Sequence, residues 1–280
     1  MKTILKYTGA KQRIVDWIIQ NMPEHQVYLE PYFGSGAVFF NKTPVKIETL
    51  NDINGDIYNY FRVIRENAVI LAKQIEMTPY SREEYEKCFE EMSDDDDPIE
   101  QARKFAVRCW FGFGSSNVYK NGFRSSQSRR SPQTTKQWNV LPDRILRSAE
   151  RLKNAQIEKL NAIELIRRYD TPDVFIYLDP PYLPGIRKSH LYKQEMTEEQ
   201  HVELLKEIKE HPARIMISGY ENDLYNSMLS GWEKKQKKTT AEKGIRRTET
   251  IWMNYKQEIQ ITMVDLFRSE VDVVKSDISI

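Results

Sequence analysis

The sequence predicts an α/β protein, an open and largely parallel sheet with helices on both faces, interrupted by an inserted basic segment. Three observations carry this expectation. Segments of strand length, at residues 27–29, 45–50, 174–178 and 213–218, alternate with segments of helical period. Val174–Leu178 is apolar at every position, as a strand buried on both faces requires. A glycine loop, an acidic turn and a carboxylate followed by two prolines stand directly after three of these runs. Open α/β sheets bind their ligands at those strand ends.

The elements follow in order. Lys11–Met22 carries Ile14, Val15, Ile18, Ile19 and Met22 at helical spacing, and Pro23 ends it. Val27–Leu29 is a short strand leading into Glu30-Pro31-Tyr32-Phe33-Gly34-Ser35-Gly36, and Ala37–Asn41 reads as the start of a helix. Val45–Leu50 is the second strand, closed by Asn51-Asp52-Ile53-Asn54, and Asp56–Ile75 has a helical pattern. After the insertion, Arg144–Asn154 is helical, Gln156–Leu160 is a strand with Asn161 at its end, and a helix runs to Tyr169. Thr197–Glu210 is an amphipathic helix with Thr197 and Gln200 in capping-box spacing. Ala213–Ser218 is a buried strand, and Thr250–Tyr255 with Ile259–Asp265 resembles a late hairpin.

The chain of 280 residues is 40% hydrophobic and 30% charged, the balance of a globular protein with one large domain and an insertion. No apolar run approaches a membrane span, and the N-terminus lacks the pattern of a signal peptide. Cys88 and Cys109 lack metal-ligand spacing. The expectation is a cytoplasmic monomer with reduced thiols and no metal.

A net charge of +1 conceals strong asymmetry. Residues 83–100 hold ten acids against one lysine, and residues 103–150 hold ten bases against two acids. The basic stretch is the electrostatic footprint of a phosphate-binding surface. Within it, Trp110–Asn117 and Tyr119–Arg130 read as poor core material, suited to a loop or hairpin ordered by a partner. The acid run Asp94–Asp97 reads as a solvated loop before Pro98. Lys234–Lys238, with Lys243, Arg246 and Arg247, reads as a solvated loop or as further phosphate contacts.

Phe33–Ala37 is neither Gly-x-Gly-x-x-Gly nor a phosphate loop with Lys-Ser/Thr. Asp52 lies 18 residues after Gly34 at the end of the next strand, where a carboxylate accepts from ribose hydroxyls. Glu30 is a second acid beside the loop, unsuited to a pyrophosphate and tolerant of a cation. S-Adenosylmethionine, with a sulfonium, an amino group and a ribose, fits this pattern better than a dinucleotide.

Asp179-Pro180-Pro181-Tyr182 forms a stiff platform. Its prolines fix φ and remove two N–H donors. That leaves a carboxylate, carbonyl oxygens and a flat ring, which suit an exocyclic amino group on a planar base.

The four motifs Lys6–Lys11, Glu30–Phe39, Asn51–Asn54 and Asp179–Tyr182, in this order, resemble those of the DNA adenine methylase (Dam-like) family, the alpha or D12 class of N6-adenine-specific DNA methyltransferases. The likeness frames residues 6–182 and extends through the late strands to about residue 265. It implies a Rossmann-like, S-adenosylmethionine-dependent methyltransferase fold. Residues 1–75 and 156–268 would form the catalytic and cofactor-binding domain, and residues 76–155 a largely helical target-recognition subdomain. Tyr7, Lys11, Glu30, Phe33, Gly34, Gly36, Asp52, Ile53, Asn161 and Asp179 would meet the cofactor. Tyr7 stands where relatives often have Trp, and Asn161 where many carry an acid near the cofactor adenine, a place where its amide oxygen would accept instead. Asp179, Pro180, Pro181 and Tyr182 would be catalytic, with Tyr182 stacked on the base. Asn117, Tyr119, Lys120, Arg124, Gln127, Arg129, Arg130 and Lys136 are the candidate contacts to double-stranded DNA.

The expected activity is methyl transfer to the N6 amine of a flipped adenine, orphan or within restriction-modification. The alternatives are adenine N6 in RNA, cytosine N4 in DNA (where Ser more often replaces the acid at Asp179), and a non-catalytic DNA-binding protein of the same fold.

Overall fold

A computed structural model describes residues 3–7, 9–89, 97–113, 120–128, 131, 133–183, 195–240 and 246–256. Its strands are β1 (Val27–Glu30), β2 (Ile47–Asn51), β3 (Ala155–Glu158), β4 (Val174–Leu178), β5 (Arg214–Gly219), β6 (Glu233–Thr240) and β7 (Arg246–Met253). They form one sheet in the order β3-β2-β1-β4-β5-β7-β6. The first five are mutually parallel, and β7 runs antiparallel to both β5 and β6. The strand order reverses between β1 and β4, so a crevice opens there beyond the carboxyl ends. This is the Rossmann-like architecture expected.

The helices are α1 (Val15–Gln20), α2 (Gly55–Met77), α3 (Arg82–Lys87), α4 (Pro98–Phe111), α5 (Thr134–Asn139), α6 (Leu141–Leu152), α7 (Ala162–Ile166), α8 (Glu198–Lys209) and α9 (Asp223–Met228). Alternation along the strands sends side chains to two separate cores. Tyr28, Phe175, Tyr177 and Met216 join α1, α2, α4 and α6 on one face. Leu29, Ile176, Leu178, Ile215 and Ile217 join α7, α8 and α9 on the other. All five residues of β4 are buried, as its unbroken apolar run predicts.

Capping sets several boundaries. Asn54 accepts from Asp56 N–H at the start of α2, and Asp97 accepts from Ile99 N–H just before Pro98 of α4. Thr197 and Gln200 make the predicted capping box of α8. Of the acid run, Asp94–Asp96 lie outside the described residues, and Asp97 is a helix cap.

Four local expectations are corrected. Ala37–Asn41 forms consecutive turns, not a helix. Val38, Phe39 and Phe40 are all buried there, which a one-sided helix does not allow. Trp110 and Phe111, read as poor core material, are the buried end of α4, with Phe111 edge-on to Trp138 at 4.7 Å. The late hairpin is built from β6 and β7, so Thr250–Tyr255 is its second arm and not its first. Ile259–Asp265 lies outside the described residues. Lys234–Lys238, read as a solvated loop, lies within the edge strand β6. Lysine is common on edges because its charge opposes further strand addition. Among the described residues no helix is long and apolar enough to cross a membrane.

Candidate active site

Five strand ends converge on the crevice. Glu30 closes β1, Asp52 follows β2, Asn161 follows β3, Asp179 follows β4, and Ser218-Gly219 ends β5. A cavity of about 500 Å³ opens among them, within the size range of small-molecule and cofactor sites. Tyr7, Lys11, Glu30, Phe33, Gly34, Asp52, Ile53, Asn161, Asp179 and Pro181 all line it. Gly36, Pro180 and Tyr182 are not among its lining residues.

The glycine loop needs its glycines. Gly34 and Gly36 sit at φ +51° and +68°, the left-handed region that other residues avoid. A Cβ on Gly36 would meet Phe33 Cζ at 2.6 Å and Phe40 at 2.7 Å, whereas one on Gly34 would find Tyr7 no closer than 3.7 Å. Asp52 ties this loop to the acidic turn. Its two oxygens accept from Gly34 N–H and Asn54 N–H, both at 2.9 Å. Burial pushes the Asp52 carboxyl up to about 6, against the pull of those two N–H groups. Ile53 beside it is 45% exposed, an apolar face free to cover a flat ring.

Glu30 is buried, and Tyr28 Oη donates to it at 2.7 Å. Burial raises its carboxyl to about 8, so it is largely protonated at neutral pH. A phosphate would gain nothing here, whereas a cation would draw the proton off. Asn161 differs from expectation. Its side-chain oxygen already accepts from Ile163 and Glu164 N–H as the cap of α7, so the acceptor role foreseen for it is taken. Its amide NH₂ is the group suited to a ligand.

Asp179 is gripped from two sides. Lys11 Nζ donates to its two oxygens at 2.6 and 2.8 Å, and Ser218 Oγ donates to Oδ1 at 3.0 Å. Lys11 also donates to Tyr182 Oη at 2.8 Å, and Tyr182 Oη donates to Glu249 Oε2 at 3.2 Å. The Tyr182 ring packs against Tyr220, with centroids 4.5 Å apart, and Arg247 donates to Tyr220 Oη at 2.6 Å. Beneath Pro181 lies buried His201, whose Nδ1 pairs with Tyr225 Oη at 2.9 Å. Burial keeps this ring neutral, with a pKa of about 4, against a backbone hydrogen bond to Pro181.

Ser218, Tyr220, Glu249 and His201 escaped the sequence reading, which named Arg247 only within a basic stretch. They are single residues in or beside strands and helices whose pattern is set by packing. The register of β7 against β5 would have placed Glu249 near the site, but the hairpin had been assigned elsewhere.

The expected DNA contacts are scattered and partly undescribed. Asn117, Tyr119, Arg129 and Arg130 lie outside the described residues. Lys120 is exposed, 3.9 Å from Glu86, and Arg124 is half-buried with its guanidinium over Phe113. Gln127 and Lys136 are exposed. The basic segment is less available than its charge implied. Arg103 binds Glu84 and Glu100, Arg108 pairs with Asp56, and Arg144 donates to Thr3 O. The acidic run neutralises part of the basic one inside the fold, which a linear count of charge does not reveal.

Comparison with known proteins agrees with the geometry. A type II methyltransferase, M.MjaIII of Methanocaldococcus jannaschii, is 24% identical over 295 residues, 91% of this chain and 99% of that protein. The DNA adenine methylase of Vibrio cholerae is 28% identical over 191 residues, 65% of this chain and 66% of that protein. The DNA adenine methylase of Escherichia coli is 26% identical over 188 residues, again 65% and 66%. The sequence model of the D12 class N6 adenine-specific DNA methyltransferases matches residues 7–243. With strand-end acids, a glycine loop and a proline platform around one cavity, the chain belongs to that class and is a DNA N6-adenine methyltransferase.

Proposed function

We propose that the cavity holds S-adenosylmethionine and that the target adenine is flipped from the duplex to meet it at Asp179-Pro180-Pro181-Tyr182. The observation that carries this reading is that Asp52, Glu30 and Asp179 line one cavity from the ends of three adjacent strands. Asp52 suits ribose hydroxyls, Gly34 lets backbone approach closely, and Ile53 covers a flat ring. Glu30 suits positive charge, and the Asn161 amide can donate to a ring nitrogen. When bound, such a cofactor supplies a methyl group already activated by its sulfonium.

The protein's own residues handle the acceptor. The adenine N6 lone pair is delocalised, so the amine is a weak nucleophile. A carboxylate offers roughly four acceptor sites, and three on Asp179 are taken by Lys11 and Ser218. The remaining one, with the Pro180 carbonyl, accepts the amine N–H groups and favours positive charge developing on nitrogen. The neutral amine is far too weak an acid for a carboxylate to deprotonate, so Asp179 takes the proton only after methyl transfer, when the nitrogen carries positive charge. Tyr182 stacks on the base, with its hydroxyl fixed between Lys11 and Glu249.

Flipping costs a few kcal/mol, which phosphate contacts must offset. Residues 76–155 form the target-recognition segment in this reading, with Lys120, Arg124, Gln127 and Lys136 among its DNA contacts, and the protein acts as a cytoplasmic monomer. The test is transfer of tritiated methyl from S-adenosylmethionine to duplex DNA, followed by mass spectrometry of the nucleosides. Asp179→Asn is the better variant, because it removes the negative charge yet keeps the side chain's size and one oxygen for Lys11, which Asp179→Ala does not. The expected result is N6-methyladenine from the wild type, a loss of at least about 10²–10³-fold in the variant, and retained DNA binding. Full transfer by Asp179→Asn, or product on cytosine, would overturn the assignment.

A further inference from the structure

The last two strands reach past the rest of the sheet. Gly219, the final residue of β5, lies opposite Thr250. Yet β7 begins at Arg246 and stays paired to β6 as far as Thr240. Residues Arg246–Glu249 and their partners Lys237–Thr240 therefore form a two-stranded ribbon beyond the end of β5. At ~3.4 Å per residue it is about 13 Å long. Leu178, the residue before Asp179, is level with Ile217 of β5. The ribbon thus extends from the same edge of the sheet as the cavity.

Its charge is one-sided. The eight residues hold four bases, Lys237, Lys238, Arg246 and Arg247, against the single acid Glu249. Glu249 is buried against Tyr182 and adds little negative potential outside. Lys238 is exposed, and Lys237 and Arg247 are partly exposed. Arg247 also anchors the ribbon to the site through Tyr220, whose ring packs on Tyr182. An isolated two-stranded ribbon is marginal in water, but this one continues a seven-stranded sheet and is held ready.

We infer that the ribbon is a second phosphate-binding surface for duplex DNA, gripping the backbone beside the entrance for the target base and separate from residues 103–150. The inference rests on duplex DNA being the substrate. Neutralising a phosphate releases condensed counterions, so each contact contributes about 0.9 to the slope of log K against log salt. Lysine on an edge strand also discourages strand addition, and an edge lysine outside the ribbon separates the two roles. Lys234 is such a residue. It lies opposite Trp252 in the body of the sheet and pairs with Glu221 at 2.6 Å.

The experiment measures affinity for a duplex by fluorescence anisotropy between about 50 and 200 mM salt, where phosphate contacts dominate. Thermal unfolding of each variant confirms the fold. Lys238→Gln lowers the slope by about one, and Lys237→Gln/Lys238→Gln by up to about two. Lys238→Arg and Lys234→Gln keep the wild-type slope. An unchanged slope in the double variant, or an equal fall in Lys234→Gln, overturns the inference while leaving DNA as substrate. A wild type that binds duplex without salt dependence would instead count against the substrate itself.

Discussion

Lys11 grips Asp179 by both carboxylate oxygens, at 2.6 and 2.8 Å, across 168 positions of sequence. The two side chains are only 4% and 19% exposed. Burial by itself would drive the lysine toward neutrality. The negative charge of Asp179, with Tyr182 and Glu249 beyond it, outweighs that and holds the ammonium well above the ordinary lysine value. The carboxylate thereby has a built-in counter-ion before any ligand arrives.

The pair therefore predicts strong coupling. Lys11→Met leaves a carboxylate, and Asp179→Asn an ammonium, without its counter-charge in a nearly dry site. Each single variant loses about 3–5 kcal/mol of stability, the usual cost of orphaning a buried charge. The double variant loses less than the sum, because neither charge remains. Urea unfolding of all four proteins measures the coupling, and additive losses would show that the contact carries no energy.

The glycine loop predicts unequal costs for two similar changes. Gly36→Ala meets backbone strain and also forces a methyl into Phe33 and Phe40 at 2.6–2.8 Å. Gly34→Ala meets the strain alone, with its nearest neighbour at 3.7 Å. Strain in the left-handed region costs on the order of 1 kcal/mol, so Gly34→Ala folds with a small loss. Gly36→Ala loses several kcal/mol and distorts the loop against which Asp52 is set. Thermal unfolding ranks the two, and equal losses would refute the steric account.

Much of the fold was legible because burial imposes a period. Val174–Leu178, buried throughout, and the Thr197 capping box are local signals that tertiary packing did not override. The site was legible where chemistry requires a rare residue type at a strand end, as at Gly34, Asp52 and Asp179. It was illegible where function depends on three-dimensional register. Ser218 reaches Asp179 through the pairing of β4 with β5, and Glu249 reaches Tyr182 through that of β5 with β7. The basic edge strand was misread because a run of lysines hides the alternation of its two faces. Asn161 was assigned an acceptor role that its own helix cap had already used.

Asp52 and Glu30 both bear on the pH dependence of ligand binding, and removing one titration isolates the other. Asp52, raised to about 6, must be ionised to accept ribose hydroxyls fully. Below that pH binding has to expel a proton, and affinity for S-adenosylmethionine falls by up to about tenfold per pH unit. Glu30, raised to about 8, would give up its own proton to a bound cation across the same range, so the slope of Asp52 is read in a Glu30→Gln background. Calorimetry between pH 5 and about 7 in two buffers of different ionisation enthalpy detects the released proton. In that background Asp52→Asn binds more weakly and without this slope. An affinity that is flat through pH 6 there would remove Asp52 from the contact.

Glu30 sets stability against binding. Its folded pKa, about 8, lies above the ordinary 4.5, so the native state holds a proton that the unfolded chain gives up. Its contribution to stability declines as pH rises from about 4.5 to about 8, and the deficit is complete above that. Glu30→Gln keeps the shape and an oxygen for Tyr28 while removing the titration. The variant is expected to be more stable than wild type by on the order of 1–3 kcal/mol at pH 8.5, with a melting temperature higher by a few degrees. At pH 4 the two proteins melt together. In exchange the variant loses the acid that a cationic ligand would ionise. Wild-type affinity for S-adenosylmethionine should therefore rise as pH approaches 8, and that of Glu30→Gln should not. Differential scanning calorimetry at both pH values, with and without S-adenosylmethionine, reads stability and binding in one series. A variant no more stable than wild type at pH 8.5 would mean that Glu30 carries no buried-charge penalty.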